Sequence, residues 1–179
     1  MAIKPIIRLG TVKLQQPSLQ VKSISGENIP TLVQDMHETM QKANGIGIAA
    51  PQIGRYKRVI VFGYEHEEDT TPEDIVPYTI LINPTIEILD HEMIDEWEGC
   101  LSIPGMRGKV PRYKKIKYTG LDLKGRTIEG IAEGYHARVL QHECDHIEGI
   151  LYPQRMRDLC CFGYEDEVIQ RIREEMKMR

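Results

Sequence analysis

The chain has 179 residues, of which 41% are hydrophobic and 28% charged, and this composition excludes a disordered or fibrous protein. Its net charge of −4 indicates no strongly basic surface, so we expect no specific nucleic-acid partner. Residues 1–10 lack the apolar segment of a signal peptide, and no apolar run is long enough to cross a membrane. We therefore expect one domain over residues 1–179, without export or membrane insertion.

The first predicted element is a helix over Ile29–Ala43. Its apolar residues recur every three or four positions, which is the spacing of one buried helical face. Pro30 suits the first turn of this helix, and Gly45 suits the position just after its end. The pattern therefore predicts an amphipathic helix in the first third of the chain.

The middle of the chain is rich in β-forming residues. The predicted strands are Arg58–Tyr64, Thr79–Leu89 and Lys115–Leu123, and a turn at Lys124-Gly125 leads into a fourth over Thr127–Ala132. The acidic segment Glu65–Pro77, rich in Thr and Pro, predicts a solvated loop whose role the sequence leaves open.

Two more helices are predicted after the strands, over Gly134–Gly149 and from Tyr164 to the C-terminus. Strands in the middle with helices on both sides in sequence predict an α+β fold rather than repeated βαβ units. We expect mixed or antiparallel β-sheets packed around the central helix at 134–149, with an N-terminal and a C-terminal helix.

The central helix contains the pattern H-E-x-x-H at residues 142–146. Side chains four residues apart lie on one face of a helix, so His142 and His146 can chelate a single metal ion. Glu143 lies beside them, where a carboxylate can take a proton from water and pass it to a leaving amine. We therefore predict a metal-binding central helix with Glu143 as its acid–base residue.

The other side chains of this helix fall into three groups on a helical wheel. Tyr135 and Val139 lie on the histidine side. An apolar group lies opposite and is expected to face the core, and a polar group fills the remaining sector: Ala137, Leu140, Cys144 and Ile147 form the first, and Arg138, Gln141, Asp145 and Glu148 the second. Asp145 is expected either to support the metal site or to be exposed to solvent.

A catalytic metal site needs a third protein ligand, and the residues leave alternatives open. Tyr152 stands where the pattern H-E-x-x-H-x-x-G-x-x-H has its third histidine, so that protease type is excluded. Glu165 or Glu167 could supply the glutamate of a second protease type. Cys100 is the third candidate, because it ends a β-rich run beside Gly99, which permits close backbone approach.

Three separated segments carry short motifs: Gly45–Gln52 reads GIGIAAPQ, Glu98–Ser102 reads EGCLS, and Gln141–His146 reads QHECDH. In this order and spacing they resemble the signature motifs of the peptide deformylase family. The resemblance covers most of the chain, roughly from the first helix to the last. It implies a metal-dependent hydrolase that removes the N-formyl group from the formyl-methionine of newly made polypeptides and releases formate.

The resemblance implies roles for the matching residues. The three metal ligands would be Cys100, His142 and His146. Glu143 would be the general base and then the general acid. Gln52 and the backbone N–H of Leu101 would donate hydrogen bonds to the oxygen of the tetrahedral intermediate, which is often the largest single contribution to catalysis.

The resemblance also implies where a peptide binds. Gly47 and Gly99 would let an extended substrate backbone come close to the protein. The methionine side chain would enter an apolar pocket whose candidate walls are Ile46, Tyr135 and Val139. All five residues are therefore expected to border one groove.

Two further features concern charged residues near the motifs. Glu98 and Arg112 resemble a family ion pair behind the loop that carries the cysteine ligand. His136 and Arg138 depart from the apolar residues that some members carry at these positions. Arg138 is expected near the mouth of the pocket, where its contact with substrate is left open.

One thiolate and two imidazoles suit a single divalent ion, and Zn, Fe(II), Co(II) and Ni(II) all accept such ligands. The resemblance implies Fe(II) as the native metal, with zinc, nickel or cobalt also accepted in purified protein. It implies N-formyl-methionyl nascent polypeptides as substrates, and a transient contact with the ribosome and a bacterial cytoplasmic location are expected from that substrate.

Two other functions stay open on the residues alone. One is an H-E-x-x-H metallopeptidase with Glu165 or Glu167 as the third ligand. The other is a non-catalytic module that holds a metal and captures peptides. Glu143 and Gln52 argue against the second, because neither residue is needed merely to hold a metal ion.

Overall fold

The computed structural model of the chain describes residues 2–64 and 75–177, so most of the predicted loop Glu65–Pro77 lies outside the described residues. It contains three α-helices: α1 (Ile29–Lys42), α2 (Gly134–Ile147) and α3 (Glu165–Lys177). It contains six strands: β1 (Gly47–Ala49), β2 (Val59–Phe62), β3 (Thr79–Cys100), β4 (Ile103–Leu121), β5 (Thr127–Glu133) and β6 (Phe162–Tyr164). No helix within these residues is long and apolar enough to cross a membrane.

The strands form one antiparallel sheet in the order β1-β2-β3-β4-β5, and β6 pairs with the first part of β4. The sheet and three helices confirm the predicted α+β fold. β1 stands at the end of this order and, within the described ranges 2–64 and 75–177, pairs with β2 alone. Strands β1 and β6 are only three residues long, too short for the alternation of apolar and polar residues to reveal them.

Strands β3 and β4 make a hairpin of 22 and 19 residues that is longer than predicted. The predicted strands Thr79–Leu89 and Lys115–Leu123 cover only the half of the hairpin that joins β2 and β5. The other half carries the acidic run DHEMIDEWE on β3 and two glycines and two prolines on β4, which weaken a strand pattern. This outer half of the hairpin ends in the tight turn between Cys100 and Ile103.

Helix α2 packs its apolar side into the sheet, as predicted. Ala137, Leu140 and Ile147 are fully buried and belong to a cluster with residues of β2, β3, β4 and β5. Cys144 is half-buried and packs against the same cluster, as expected for a member of the core-facing apolar group. Helix α1 covers β1 and β2 through a second cluster that includes the fully buried Met36.

The polar sector of α2 is buried rather than solvated. Arg138, Gln141 and Asp145 face the outer half of the β3–β4 hairpin and are 6%, 8% and 7% exposed. Glu148, the fourth member, retains a side chain that is 47% exposed. Three sides of α2 are therefore covered or border a cavity, and polar side chains on the third side join α2 to the hairpin.

Candidate active site

The predicted third ligand lies beside the two histidines. Cys100 is at the tip of the outer hairpin half, while His142 and His146 lie one turn apart on α2. Their ligand atoms all lie within 4.8 Å of one another, and Cys100 Sγ is 3.2 Å from His146 Nε2. Among residues 2–64 and 75–177, this is the one cluster of Cys, His, Asp and Glu that could hold a metal ion.

Glu98 orients His142. Its Oε2 lies 2.8 Å from His142 Nδ1, which leaves the other ring nitrogen to face Cys100. Arg112 donates to both carboxylate oxygens of Glu98 at 2.9 and 3.0 Å, so the predicted pair Glu98–Arg112 is confirmed. Burial disfavours the carboxylate, but hydrogen bonds from His142 and Arg112 hold the pKa of Glu98 well below its usual range.

Glu143 borders the same site from the next position on α2. Its side chain is 4% exposed, and burial raises the pKa of its carboxyl to about 7. A Cβ at Gly47 of β1 would lie 2.3 Å from Glu143 Oε1, so only glycine leaves room for this carboxylate. In the described part of the chain, Glu143 Oε2 has no hydrogen-bond partner and can bond a ligand.

Gln52 is fixed in one orientation in a turn of 3-10 helix after β1. Its Oε1 accepts from the backbone N–H of Ala49 at 2.8 Å, and its Nε2 lies 3.2 Å from Ser102 Oγ and 3.7 Å from Cys100 Sγ. The amide donor of Gln52 is therefore held towards the cysteine. Leu101 lies in the hairpin turn between Cys100 and Ser102 and borders the same cavity as Gln52.

A cavity of about 960 Å³ opens in front of these groups. All five predicted substrate-binding residues border it: Ile46, Gly47, Gly99, Tyr135 and Val139. Gly99 has a close neighbour, because a Cβ there would lie 2.3 Å from Arg107 Nη1. That neighbour is the end of a flexible side chain, so only Gly47 gains a packing reason from these contacts. The structure therefore brings together the residues predicted from three distant motifs.

The glutamates proposed as alternative third ligands are not part of this cluster, although Glu165 borders the cavity. Glu165 accepts a hydrogen bond from Arg107 Nε at 3.0 Å, and Glu167 is exposed on α3. Tyr152 stacks on the ring of His142, with centroids 6.2 Å apart and an angle of 27° between the planes. Among the described residues, the third ligand atom beside the two histidines is therefore that of Cys100, and no glutamate of α3 joins the cluster.

The sequence did not assign roles to two residues that hold the site in place. Ser102 is fully buried, donates its backbone N–H to Cys100 Sγ at 3.4 Å and faces Gln52. Gln141 pairs with the backbone of Tyr113, donating to its C=O at 2.8 Å and accepting from its N–H at 3.1 Å. The available signal was that Ser102 lies in the same motif as Cys100 and that Gln141 directly precedes His142.

The family model and the sequence relatives that match this chain all belong to one family. Residues 3–160 match the family model of polypeptide deformylase. The chain is 49% identical to peptide deformylase 1 of Nitrosomonas europaea over 164 residues, which is 92% of this chain and 93% of that protein. It is 48% identical to peptide deformylase 2 of Ralstonia nicotianae, with the same coverage.

Solved structures agree with the sequence relatives. The structure is similar to the class I type b peptide deformylase of Acinetobacter baumannii bound to Met-Ala-Ser, with a TM-score of 0.78 and 34% identity over 87% of this chain and 100% of that one. It is also similar to the peptide deformylase of Thermotoga maritima, with a TM-score of 0.78 and 32% identity over 88% of this chain and all of that one.

Proposed function

The chain belongs to the polypeptide deformylase family, metal-dependent hydrolases that remove the N-formyl group from newly made polypeptides, and we propose that the cluster described above is its catalytic centre. Cys100, His142 and His146 are the proposed metal ligands, and Glu143 is the proposed general base and acid. The observation that supports this assignment is the placement of three converging ligand atoms and one buried carboxylate on a single cavity.

The donor set fits a divalent cation. Two imidazoles and one thiolate within 4.8 Å of one another match a site with three protein ligands and an open fourth position. A divalent ion bound there supplies a Lewis acid for the formyl carbonyl and lowers the pKa of water. We propose Fe(II) as the native metal, with zinc, nickel and cobalt also accepted by the same ligands.

The proton transfers are assigned to Glu143. It takes a proton from water as the water oxygen attacks the formyl carbon, and it returns this proton to the amine nitrogen as the C–N bond breaks. Formate and a free N-terminus are the products. Gln52 Nε2 and the backbone N–H of Leu101 donate to the carbonyl oxygen as negative charge develops on it.

We propose that the cavity holds the start of the polypeptide in an extended form. Ile46, Tyr135 and Val139 provide the walls for the methionine side chain, and Gly47 and Gly99 lie where the substrate backbone passes. The Met-Ala-Ser bound to the Acinetobacter baumannii enzyme supports a peptide as the occupant. A single catalytic domain over residues 1–179, a transient ribosome contact and a bacterial cytoplasmic location complete the proposal.

Formate release from a formyl-Met-Ala peptide tests the reaction and the base together. The enzyme is purified without oxygen, its metal content is measured, and Glu143→Ala is assayed beside it. We expect rapid release by the wild type, and a loss of about 10²–10⁴-fold with unchanged metal content in the variant. A metal-loaded wild type that releases no formate would show that the proposed function is wrong.

Two substitutions distinguish the ligand sets. Cys100→Ala removes a proposed ligand, so we expect the purified variant to lack its equivalent of metal. Glu165→Gln removes the alternative ligand and serves as the control, so we expect full metal content. The reverse result would favour a metallopeptidase-type site, and cleavage of an unformylated peptide would then be measured.

A further inference from the structure

Helix α2 carries a buried arginine that the proposed chemistry does not use. We propose that Arg138 is a positioning residue of the metal site, which fixes Glu98 and joins α2 to the hairpin that carries Cys100. The inference rests on the proposed assignment of the metal ligands. It gives a role to Arg138, which was expected near the mouth of the pocket with its contact with substrate left open.

The hydrogen bonds of Arg138 are made to residues of the β3–β4 hairpin. Its side chain is 7% exposed, although it borders the cavity. Nη1 donates to Glu98 Oε1 at 2.7 Å and to the carbonyl of Val110 on β4 at 2.8 Å. Nη2 donates to the carbonyl of Ile94 on β3 at 2.6 Å. One guanidinium therefore bonds both strands of the outer hairpin half and the carboxylate between them.

Glu98 is held by three groups from two elements. Arg112 of β4 spans both of its oxygens, Arg138 of α2 bonds Oε1, and His142 of α2 meets Oε2. A carboxylate turns easily about its last bond, so several donors are needed to fix its plane. Arg138 holds Oε1 and thereby keeps Oε2 directed at His142 Nδ1.

The ligands come from two elements whose relative position must be fixed. Cys100 lies on the hairpin, and the histidines lie on α2. Arg112 reaches from the hairpin to Asp145 of α2 at 2.5 Å, and Arg138 reaches from α2 to the hairpin. These two sets of hydrogen bonds, one from each element to the other, lie on the buried side of α2. A guanidinium has several donors in a fixed arrangement and can bond several acceptors there, which a single ammonium group does less well.

The rate of metal loss measures this role without relying on activity. The Co(II) forms of wild type, Arg138→Leu and Arg138→Lys are mixed with excess chelator, and the visible absorption of bound Co(II) is followed. We expect metal loss about 10- to 100-fold faster in both variants, since groups that orient ligands contribute on this scale. Arg138→Lys keeps the charge and provides the test should Arg138→Leu fail to fold.

Arg58→Leu is the matched control. Arg58 also ties α2 to the sheet, through Glu148 at 2.7 Å and the carbonyl of Pro84 at 3.3 Å, and its side chain is 14% exposed. The described contacts of Arg58 include no metal ligand and no Glu98. We expect Arg58→Leu to lose Co(II) at the wild-type rate. If Arg58→Leu and Arg138→Leu accelerate metal loss equally, the inference is overturned, and a general loosening of α2 explains the effect.

A double-mutant cycle with Glu98→Gln tests whether Arg138 acts through Glu98. If it does, Arg138→Lys should accelerate metal loss much less in the Glu98→Gln background than in the wild type. Accelerations that multiply, or a wild-type rate for Arg138→Lys, would overturn the inference. A wild type that binds no Co(II) would instead overturn the proposed metal site, so the two failures are distinct.

Discussion

A methyl group at Gly47 would lie 2.3 Å from Glu143 Oε1 and 2.9 Å from its Cγ. The backbone of Gly47 lies outside the left-handed region, so proximity rather than backbone conformation requires glycine here. The residue was predicted to admit a substrate backbone, and the structure adds that it leaves room for the Glu143 carboxylate. The requirement at this position therefore concerns the place of Glu143 within the cavity.

Gly47→Ala should impair catalysis far more than folding. The new methyl group displaces the Glu143 carboxylate, and a shift of about 1 Å in a catalytic group costs on the order of 100-fold in rate. Formate release and urea unfolding measure the two effects separately. Gly163→Ala of β6 is the control, because its Cβ would lie 3.4 Å from Val168, an ordinary contact. Equal activity in the two variants would contradict the prediction.

At the scale of elements, the burial of the polar side of α2 is the feature that sequence periodicity did not predict. Arg138, Gln141 and Asp145 share one helical sector, and such a sector usually faces water. Here each has a partner on the hairpin, and Asp145 also accepts a hydrogen bond from Arg155. Long-range partners cannot be found by a local pattern, which is why the sector was identified but its burial was not.

Gln141→Met should destabilise the fold while leaving the ligands in place. It removes both hydrogen bonds to the backbone of Tyr113, and an unpaired half-buried backbone group costs about 1–3 kcal/mol. The free energy of unfolding is measured in urea. Gln34→Met is the control, since the exposed Gln34 amide bonds to the side chain of Glu38 on the same helix α1. A change as small as that of the control would contradict this expectation.

At the scale of the whole molecule, the sequence predicted the fold class. The family resemblance predicted that three motifs distant in the chain lie at one site. The H-E-x-x-H spacing located two ligands through helical geometry, and the resemblance supplied Cys100. The full length of β3 and β4 could not be predicted, because charges, glycines and prolines interrupt their outer halves. The contacts of Glu98 with Arg138 and His142 depend on this outer half of the hairpin, which was not predicted.

Metal removal should lower the stability of the whole domain, because the proposed ligands join α2 to the hairpin. An ion at a thousand times its Kd stabilises the folded state by about 4 kcal/mol. For a chain of this length that corresponds to a fall in Tm of roughly 8–16 °C on chelation. Calorimetry with and without chelator measures it. Cys100→Ala should show no such dependence, and a wild type equally insensitive to chelator would refute the link.

Strand β1 ends the sheet and borders the cavity, with β2 as its only partner in the described chain. A peptide laid along such an edge is recognised through main-chain groups that every polypeptide shares, with side chains contributing at alternate positions. We therefore expect the enzyme to distinguish the first residue sharply and later residues only weakly. Such breadth would let a single small protein process the many different chains that a cell synthesises.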